Sequence, residues 1–295
     1  MHGMRTGRPL LALVLALVLV LAWLAGCASD PEDPGDSGEP TSPSASGSSA
    51  PSSVSPSGSE ATSSPPATPQ STRYRPDPAE VDAAAKRTAA RAVEELRWVR
   101  QVTYTQYFGY LPPSASILVE ADFEKRGGTT YDVRISRQGP GWQVDSVTPA
   151  EPVPPLADPS RLIRRVLDSD RIRLPWAGRA DVASGRIAEE VLRSMLAVAE
   201  QHEITISVLV SAHPELVFGT DRRSRHPDGF AYDIGSIDGR LVVDPRNRAA
   251  VRDVMRLATD TGADQVGGPE DLDGGGSQYF ADLTHSDHVH VGFDG

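Results

Sequence analysis

The chain has 295 residues, of which 29 are basic and 40 acidic, so its formal net charge at neutral pH is −11. This negative charge argues against a protein that binds nucleic acid through a general electrostatic surface. A single cysteine excludes both an internal disulfide framework and a zinc site built from several cysteines. Six of the seven histidines lie between His202 and His290, far from Cys27, so histidine chemistry is expected only in the C-terminal half.

The first 26 residues have the pattern of an export signal. Arg5 and Arg8 precede an unbroken apolar run at positions 10–24, which is shorter than the ~20 residues of a membrane-spanning helix. The run ends in the sequence LAGC, whose last residue is Cys27. Basic, apolar and small-residue segments in this order are typical of a secretory signal peptide.

The LAGC sequence resembles the bacterial lipobox, in which the cysteine is lipidated and becomes the first residue of the mature protein. The resemblance implies membrane attachment through lipidated Cys27, at the extracytoplasmic face of the cell membrane and facing the cell wall. A diacylglycerol together with an amide-linked chain would meet the two-signal requirement for stable anchoring. An uncleaved apolar anchor with an incidental cysteine is the alternative.

Residues 27–76 are predicted to be a disordered linker. Within them, positions 28–72 contain 15 serines, nine prolines and six acidic residues, with no basic and no aromatic residue. Such a segment cannot bury enough apolar surface to offset its conformational entropy. Proline and like charge extend a chain, so the linker is expected to hold the folded part away from the membrane.

Residues 77–150 predict a small domain made of one helix and an antiparallel sheet. Asp77 and Pro78 have the pattern of an N-cap and first helical residue, and alanine-rich sequence continues to about Trp98. Glycine-containing turns then separate three predicted strands, at residues 116–123, 130–135 and 142–147. The pattern resembles the cystatin-like or NTF2-like accessory domains of exported bacterial proteins. It contains no catalytic constellation, and we expect a packing or docking role.

A proline-containing joint at residues 151–158 leads to a second predicted domain, residues 159–295. Asp158 and Asp244 are each followed by proline and are predicted helix N-caps. Apolar residues at helical spacing predict helices after each cap and around residues 187–198. The sequences ITISVLVS and HVHVGF, which begin at residues 204 and 288, predict buried strands. Helices and strands without βαβ repetition predict the α+β class for the whole folded part.

The candidate chemistry lies in two short sequences of this second domain. In the first, six residues separate His226 from Asp233; the second is DHVH, which contains Asp287, His288 and His290. Two neutral imidazoles and one carboxylate form the donor set of a zinc site with one open position. Zinc lowers the pKa of water and polarises carbonyl groups, and a nearby carboxylate can accept a proton. His288 and His290 share one strand face, so Asp287 reaches the same centre only if the chain bends before the strand.

Together and in this order, the two sequences resemble the D-alanyl-D-alanine metallopeptidases of the hedgehog/DD-peptidase fold. The resemblance covers about residues 162–293. It implies that His226, Asp233 and His290 bind Zn²⁺, because the family uses the histidine and aspartate of the first sequence and the last histidine of the second. It also implies that Asp287 is the general base. His288 would line the site and help to hold the transition-state oxyanion.

The substrate-binding side departs from the family pattern. The resemblance gives Ser224 a role in positioning or substrate hydrogen bonding. Active carboxypeptidases of this fold usually carry Ser-Gly-Tyr-Arg after the central strand, where the arginine grips the substrate carboxylate; here the sequence is SAHP, which ends at Pro214. Either Arg222 or Arg223 compensates from the next loop, or no free carboxylate is bound, which favours an endopeptidase or a wall-binding relic. His213 stands in the tyrosine position and is a candidate substrate contact.

Four other polar residues of the C-terminal domain are expected to have no catalytic or metal-binding role. His202 is expected to be a solvated residue at a helix end, and His285 to be a loop residue. Asp221 and Asp228 flank turns, where a carboxylate often satisfies backbone donors.

The sequence therefore predicts a lipid-anchored, zinc metallopeptidase-like protein whose partner is peptidoglycan, and which hydrolyses stem peptides or cross-links as a carboxypeptidase or endopeptidase. A non-catalytic cell-wall-binding or regulatory lipoprotein on the same fold is the alternative. A third possibility is that residues 77–150 bind a protein partner while the C-terminal domain serves as a scaffold.

Overall fold

The structure is a computed structural model that describes residues 73–151 and 153–295. These residues belong to one compact unit, Ser64–Gly295. The predicted signal peptide, Cys27 and most of the predicted linker lie outside the described residues. Within the described part of the chain, no helix is long and apolar enough to cross a membrane.

The first half of the described chain forms a four-stranded antiparallel sheet with one helix packed on it. We call this the N-terminal module. Its strands follow one another in the order β1-β2-β3-β4, and a core of alanine, valine, isoleucine and aromatic side chains fills the space beneath the helix. Its elements are α1 (Ala83–Glu94), β1 (Val99–Leu111), β2 (Ser114–Phe123), β3 (Gly128–Gln138) and β4 (Gly141–Pro149).

The start of α1 corrects the sequence-based prediction. The helix begins at Ala83 rather than at Pro78, because the carboxylate of Asp82 accepts hydrogen bonds from the first free backbone N–H groups of the helix. Asp77 instead accepts from the Ala79 N–H and closes a turn. This turn leaves Glu80 outside the helix, with its carboxylate buried against the module.

Strand β1 was not predicted, and it is the strand that reaches the candidate site. Successive residues of a strand point to opposite faces. Thr105 and Tyr107 face the helix side, where their hydroxyl groups bond to Tyr74 and to the Asp82 carbonyl. Gln106 points the other way, toward the second half of the chain. Both faces of this part of β1 are buried, so the alternating polar pattern of a half-exposed strand is lost.

The second half of the described chain forms a mixed sheet flanked by helices, which we call the C-terminal module. The strand order is β10-β9-β11-β7-β6-β5, and β8 pairs with β7. Its main elements are α2 (Arg161–Leu167), β5 (Ile172–Arg173), α3 (Trp176–Ala183), α4 (Glu189–Ala199), β6 (Ile204–Val208), β7 (Ala231–Ile237), β8 (Arg240–Leu241), α5 (Arg248–Asp260), β9 (Gln265–Gly268), β10 (Tyr279–Ala281) and β11 (Val289–Gly292).

The core of the C-terminal module explains where its functional strands lie. Valine, leucine and methionine side chains of α4 and α5 pack against β6, β7 and β11 in one continuous cluster, as amphipathic helices do on a sheet. One predicted cap is wrong, since Ser160 rather than Asp158 caps α2, accepting from the Ile163 N–H. The Asp244 side chain accepts from the Arg246 N–H at a 3₁₀ turn before α5.

The described chain is thus a mixture of helices and mainly antiparallel sheet, which agrees with the predicted α+β class. Each half has its own sheet and its own apolar cluster. The boundaries of the two predicted domains remain predictions.

Candidate metal centre

The three predicted ligands meet at one point of the C-terminal sheet. Asp233 lies in β7 and His290 in β11, and the antiparallel register of these strands places the two residues directly opposite each other. His226 lies in the loop that leads into β7. Its Nε2 is 3.1 Å from Asp233 Oδ1 and 3.1 Å from His290 Nδ1, and the third side of the triangle is 3.0 Å. The His226-Asp233-His290 cluster could therefore hold a metal ion.

The dimensions of this triangle fit a small divalent cation. Zinc bonds of about 2.0–2.1 Å in a tetrahedral site separate neighbouring ligand atoms by about 3.3 Å, close to the distances seen here. Two of the three residues are almost fully buried, with exposed fractions of 1% for His226 and 3% for Asp233. Three potential acceptor atoms this close together, away from water, need either shared protons or a cation between them.

Hydrogen bonds outside the triangle orient His226. Its Nδ1 lies 2.7 Å from the carbonyl oxygen of Leu209. Because a carbonyl only accepts, Nδ1 carries a hydrogen, so the ring nitrogen that can bind a cation is Nε2, which faces the cluster. Ser224 Oγ accepts from the His226 N–H at 3.3 Å, so the structure gives Ser224 a role in shaping this loop.

The second oxygen of Asp233 is held by a residue of the N-terminal module. Gln106 Nε2 donates to Asp233 Oδ2 at 2.6 Å, while Ser207 Oγ donates to Gln106 Oε1 at 2.5 Å. Both Gln106 and Ser207 are buried. This arrangement leaves Asp233 Oδ1 directed at the two histidines, as outer partners of metal ligands commonly do.

Asp287 and His288 form a second pair beside the triangle. A 3₁₀ turn at Thr284–Ser286 supplies the bend that the sequence required just before the strand. His288 Nδ1 lies 2.6 Å from Asp287 Oδ1, and His288 Nε2 lies 3.8 Å from Asp233 Oδ2. In this conformation the imidazole of His288 stands between the Asp287 carboxylate and the triangle.

The other oxygen of Asp287 is occupied by the N-terminal module. Lys86 Nζ lies 2.6 Å from Asp287 Oδ2, and the Tyr107 backbone N–H donates to the same oxygen at 2.9 Å. Lys86 also contacts Glu80 Oε1 at 2.6 Å and the Thr105 carbonyl at 3.1 Å. Asp287 is 1% exposed, so no part of the predicted general base faces solvent.

The electrostatics of the cluster follow from burial and neighbouring charge. Burial raises the pKa of Asp233, but the attraction of His226 and His288 outweighs it and brings the pKa well below its ordinary value. Burial lowers the pKa of His290 to about 4, which leaves its ring neutral at pH 7 and able to bind a cation. For Asp287, the opposing effect of burial is overcome by Lys86, and the pKa is lowered.

His213 lies beside a predicted ligand. Its ring stacks on that of His226, with centroids 4.2 Å apart and an angle of 14°. The Phe108 ring meets His213 edge-on, with centroids 4.6 Å apart, and His213 Nδ1 lies 2.8 Å from the Pro214 carbonyl oxygen. Burial brings the pKa of His213 well below its ordinary value, so this neutral ring supports the ligand loop.

The segment that departs from the family pattern lines a cavity of about 540 Å³. Ala212 adopts a φ of 65°, a left-handed conformation that favours glycine. The buried carboxylate of Asp181 holds the preceding turn, because it accepts from the Val210 and Ser211 N–H groups. Arg134 of the N-terminal module and Arg186 also line this cavity, together with Asp132, Glu151, Ser211 and His213.

The predicted arginine contacts lie on the surface. Arg222 is exposed in the loop before His226, and among the described residues its side chain takes part in no ion pair. Arg223 is held by Asp228, through two hydrogen bonds of 2.7 Å. The structure therefore does not bring either guanidinium group against the triangle. Asp228 thus bonds to the Arg223 side chain and not to the backbone donors that the sequence suggested.

His285 belongs to the site, although the sequence indicated only a loop residue. Its ring centroid lies 5.0 Å from that of His288 and 5.7 Å from that of His290. Its Nδ1 lies 2.8 Å from Asp282 Oδ1. His202, in contrast, lies apart and bridges Asp238 and Asp253. The structure also adds Gln106 and Lys86, neither of which was predicted.

Comparison with known proteins found no matching family model, no similar curated protein and no similar solved structure.

Proposed function

We propose that this protein is a zinc metallopeptidase-like protein that hydrolyses peptide bonds in peptidoglycan stem peptides or cross-links. The observation that carries the proposal is the triangle of His226, Asp233 and His290, whose ligand atoms lie 3.0–3.1 Å apart. This donor set matches catalytic zinc sites, which use three protein ligands and keep one position for water or substrate. The resemblance to the hedgehog/DD-peptidase fold supplies the substrate class.

In this proposal three residues bind the zinc ion and a neighbouring pair handles the proton. His226, Asp233 and His290 would hold zinc, which when bound polarises a carbonyl group and lowers the pKa of water. The Asp287–His288 pair lies on one side of the triangle, with the Asp287 carboxylate fixing the ring at Nδ1. His288 Nε2 is then the group that can hold or move a proton next to the reacting atoms.

The position of Pro214 favours an internal peptide bond over a C-terminal one. A carboxypeptidase needs a cation to hold the terminal carboxylate of its substrate. Neither Arg222 nor Arg223 lies against the triangle, and Arg223 is engaged by Asp228. An endopeptidase that cleaves cross-links has no such requirement.

The cellular setting of this proposal rests on the N-terminal sequence. Lipidation of Cys27 would tether the chain to the extracytoplasmic face of the membrane, and the linker would place residues 77–295 near the wall. Peptidoglycan is then the polymer within reach.

A non-catalytic wall-binding or regulatory protein is the second candidate function. One observation favours it, which is that both carboxylate oxygens of Asp287 are engaged, by His288 on one side and by Lys86 and Tyr107 on the other. A base in this state has no free oxygen for a water proton.

The experiment that tests the proposal is digestion of purified peptidoglycan with the mature chain, followed by mass analysis of the fragments. Metal content is measured first, and stoichiometric zinc is expected in the wild type but not in His226→Ala. New peptide fragments with the wild type, and none with Asp287→Ala, support a peptidase. Stoichiometric zinc without fragments favours the binding protein, whereas absence of zinc from the wild type contradicts the zinc peptidase.

A further inference from the structure

Strand β1 of the N-terminal module lies directly over the candidate metal centre. Three contacts along this strand reach residues of the centre or its neighbours: Gln106 donates to Asp233, the Tyr107 N–H donates to the Asp287 side chain, and the Tyr104 hydroxyl donates to the Asp287 carbonyl at 3.2 Å. The module therefore covers both the triangle and the predicted base.

Lys86 adds a charged contact to this cover. It is 0% exposed and reaches from α1 to Asp287, with Glu80 as its second partner. A buried lysine is costly unless its charge is paired and hydrogen-bonded. The Lys86 charge therefore depends on Asp287, a residue of the other module, and the two modules are joined by an ion pair at the site itself.

A small apolar cluster, with residues from both modules, lies beside these polar contacts at the boundary between the modules. Phe108 and Leu118 of the N-terminal module pack with Val208, Ala212 and Phe218 of the C-terminal module. The approach is closest at Gly109, where an added Cβ would lie 2.0 Å from the Phe218 ring. A side chain at position 109 would thus clash with Phe218, so this ring or the module boundary has to shift, and the three nearest atoms belong to Phe218 and not to a metal ligand.

The boundary has the character of an interface that can open. Hydrogen bonds and ion pairs make up the part over the site, and interfaces between parts of a chain that move are more polar than those that do not. The groups that would perform the chemistry are almost fully buried behind it: His290 is 8% exposed, His288 2% and Asp287 1%. A polymer-linked peptide needs far more access than this.

We propose that the N-terminal module is a built-in lid that keeps the metal centre closed, and that separation of β1 from the centre is the step that admits a peptide. This inference rests on the proposed function and describes the regulation of the same site. Lys86 and Gln106 hold the lid closed through their contacts with Asp287 and Asp233. Separation of β1 from the centre breaks both contacts.

The test uses a wedge variant of the mature chain, Gly109→Val. The control is Gly141→Val, because Gly141 lies in the same module and has open space around its Cβ position. Zinc uptake by the metal-free chain and zinc transfer to a coloured chelator are followed for both variants and the wild type. Opening the lid speeds both processes, by about tenfold or more, because each rate scales with the open fraction. A mere loss of zinc affinity would speed only the transfer.

A readout without metal is hydrogen–deuterium exchange of the metal-free chain. Faster exchange is expected in Gly109→Val at Tyr107 and Tyr110 of β1, whose backbone N–H groups donate to Asp287 Oδ2 and Thr284 Oγ1 and would lose these acceptors, and not in Gly141→Val. Phe218→Ala, which removes the ring that Gly109 packs against, is the second variant and is expected to act in the same direction.

The lid is refuted if zinc uptake and hydrogen exchange in Gly109→Val and Phe218→Ala both match the wild type. Its failure is distinct from failure of the proposed function. Faster zinc exchange with no peptidoglycan fragments supports the lid and contradicts hydrolysis. Fragments from the wild type, with exchange rates unchanged in both variants, support hydrolysis and contradict the lid. If the wild type holds no zinc, hydrogen exchange alone decides the lid.

Discussion

Lys86 and Asp287 form a buried ion pair between the two modules of this protein, with 2.6 Å between Nζ and Oδ2. The side chains are 0% and 1% exposed. The lysine belongs to a helix of the N-terminal module, whereas the aspartate lies next to the candidate metal centre. The stability of the chain and the state of its predicted base are therefore linked through one contact.

Substitution of this lysine is expected to destabilise the chain strongly. Lys86→Met leaves the Asp287 carboxylate buried without a cation, and breaking a buried pair on one side costs about 3–5 kcal/mol. Urea unfolding monitored by circular dichroism measures the loss. Lys125→Met is the matched control, because Lys125 is exposed and surface changes stay within about 0.5 kcal/mol. Equal stability of the two variants would contradict the pairing.

The ligand triangle predicts which histidines zinc requires. His226→Ala and His290→Ala are each expected to abolish stoichiometric zinc in the purified chain, since two remaining ligands rarely hold a catalytic ion. His202→Ala is the control and is expected to retain full zinc content, because His202 pairs with Asp238 and Asp253 and takes no part in the ligand triangle. Metal content by plasma mass spectrometry gives the answer. Retention of zinc by His226→Ala would contradict the assignment.

Gln106 is expected to tune zinc binding from the other module. Gln106→Ala removes the hydrogen bond to Asp233 Oδ2, and loss of such an outer partner commonly lowers metal affinity by about 10–100-fold. Gln101→Ala is a control on the same strand, because Gln101 bonds to Asp122 instead. Competition with a chelator of known zinc affinity measures both. An unchanged affinity for Gln106→Ala would mean that Asp233 is held without it.

Glu80 predicts a pH-dependent stability. Burial and the negative charges of Asp287 and Asp77 raise its pKa from 4.5 to about 7, against the opposing effect of Lys86. A raised pKa means that the folded state favours the protonated carboxyl. The stability it contributes is therefore present below pH 4.5 and is lost as the pH rises through 7.

Glu80→Gln cannot ionise and is expected to avoid this loss. Its free energy of unfolding relative to the wild type should rise between pH 4.5 and 8, by up to about 3 kcal/mol, because one pKa unit corresponds to about 1.4 kcal/mol. Urea unfolding over this pH range measures the difference, with exposed Glu124→Gln as the control. A difference that stays constant with pH would show that Glu80 titrates normally.

Local patterns predicted much of the fold. Strands β2, β3 and β4 lie where alternating residues and glycine turns placed them, and the helices α4 and α5 lie where apolar residues recur at helical spacing. Strand β1 was not predicted because one face of its buried part packs against α1 and the other against the C-terminal module. Burial on a second face leaves no alternation in the sequence, and only the partner surface explains the residues found there.

The sequence contained an indication that Lys86 is buried. In α1 it shares a helical face with Ala89, Ala90 and Val93, which are three, four and seven positions further on and are all buried. It is also one of only two lysines among 29 basic residues. A lysine on an apolar face can extend to solvent, so the spacing alone does not distinguish this from a buried pair.

The sequence by itself determined which residues are candidate ligands, because two short sequences that contain His226, Asp233 and His290 resemble the zinc-binding sequences of a metallopeptidase family. Only the tertiary structure decided what surrounds them. Gln106, Lys86 and the cover formed by β1 come from distant parts of the chain, and contacts of this kind depend on how two packed surfaces meet, which no local pattern encodes.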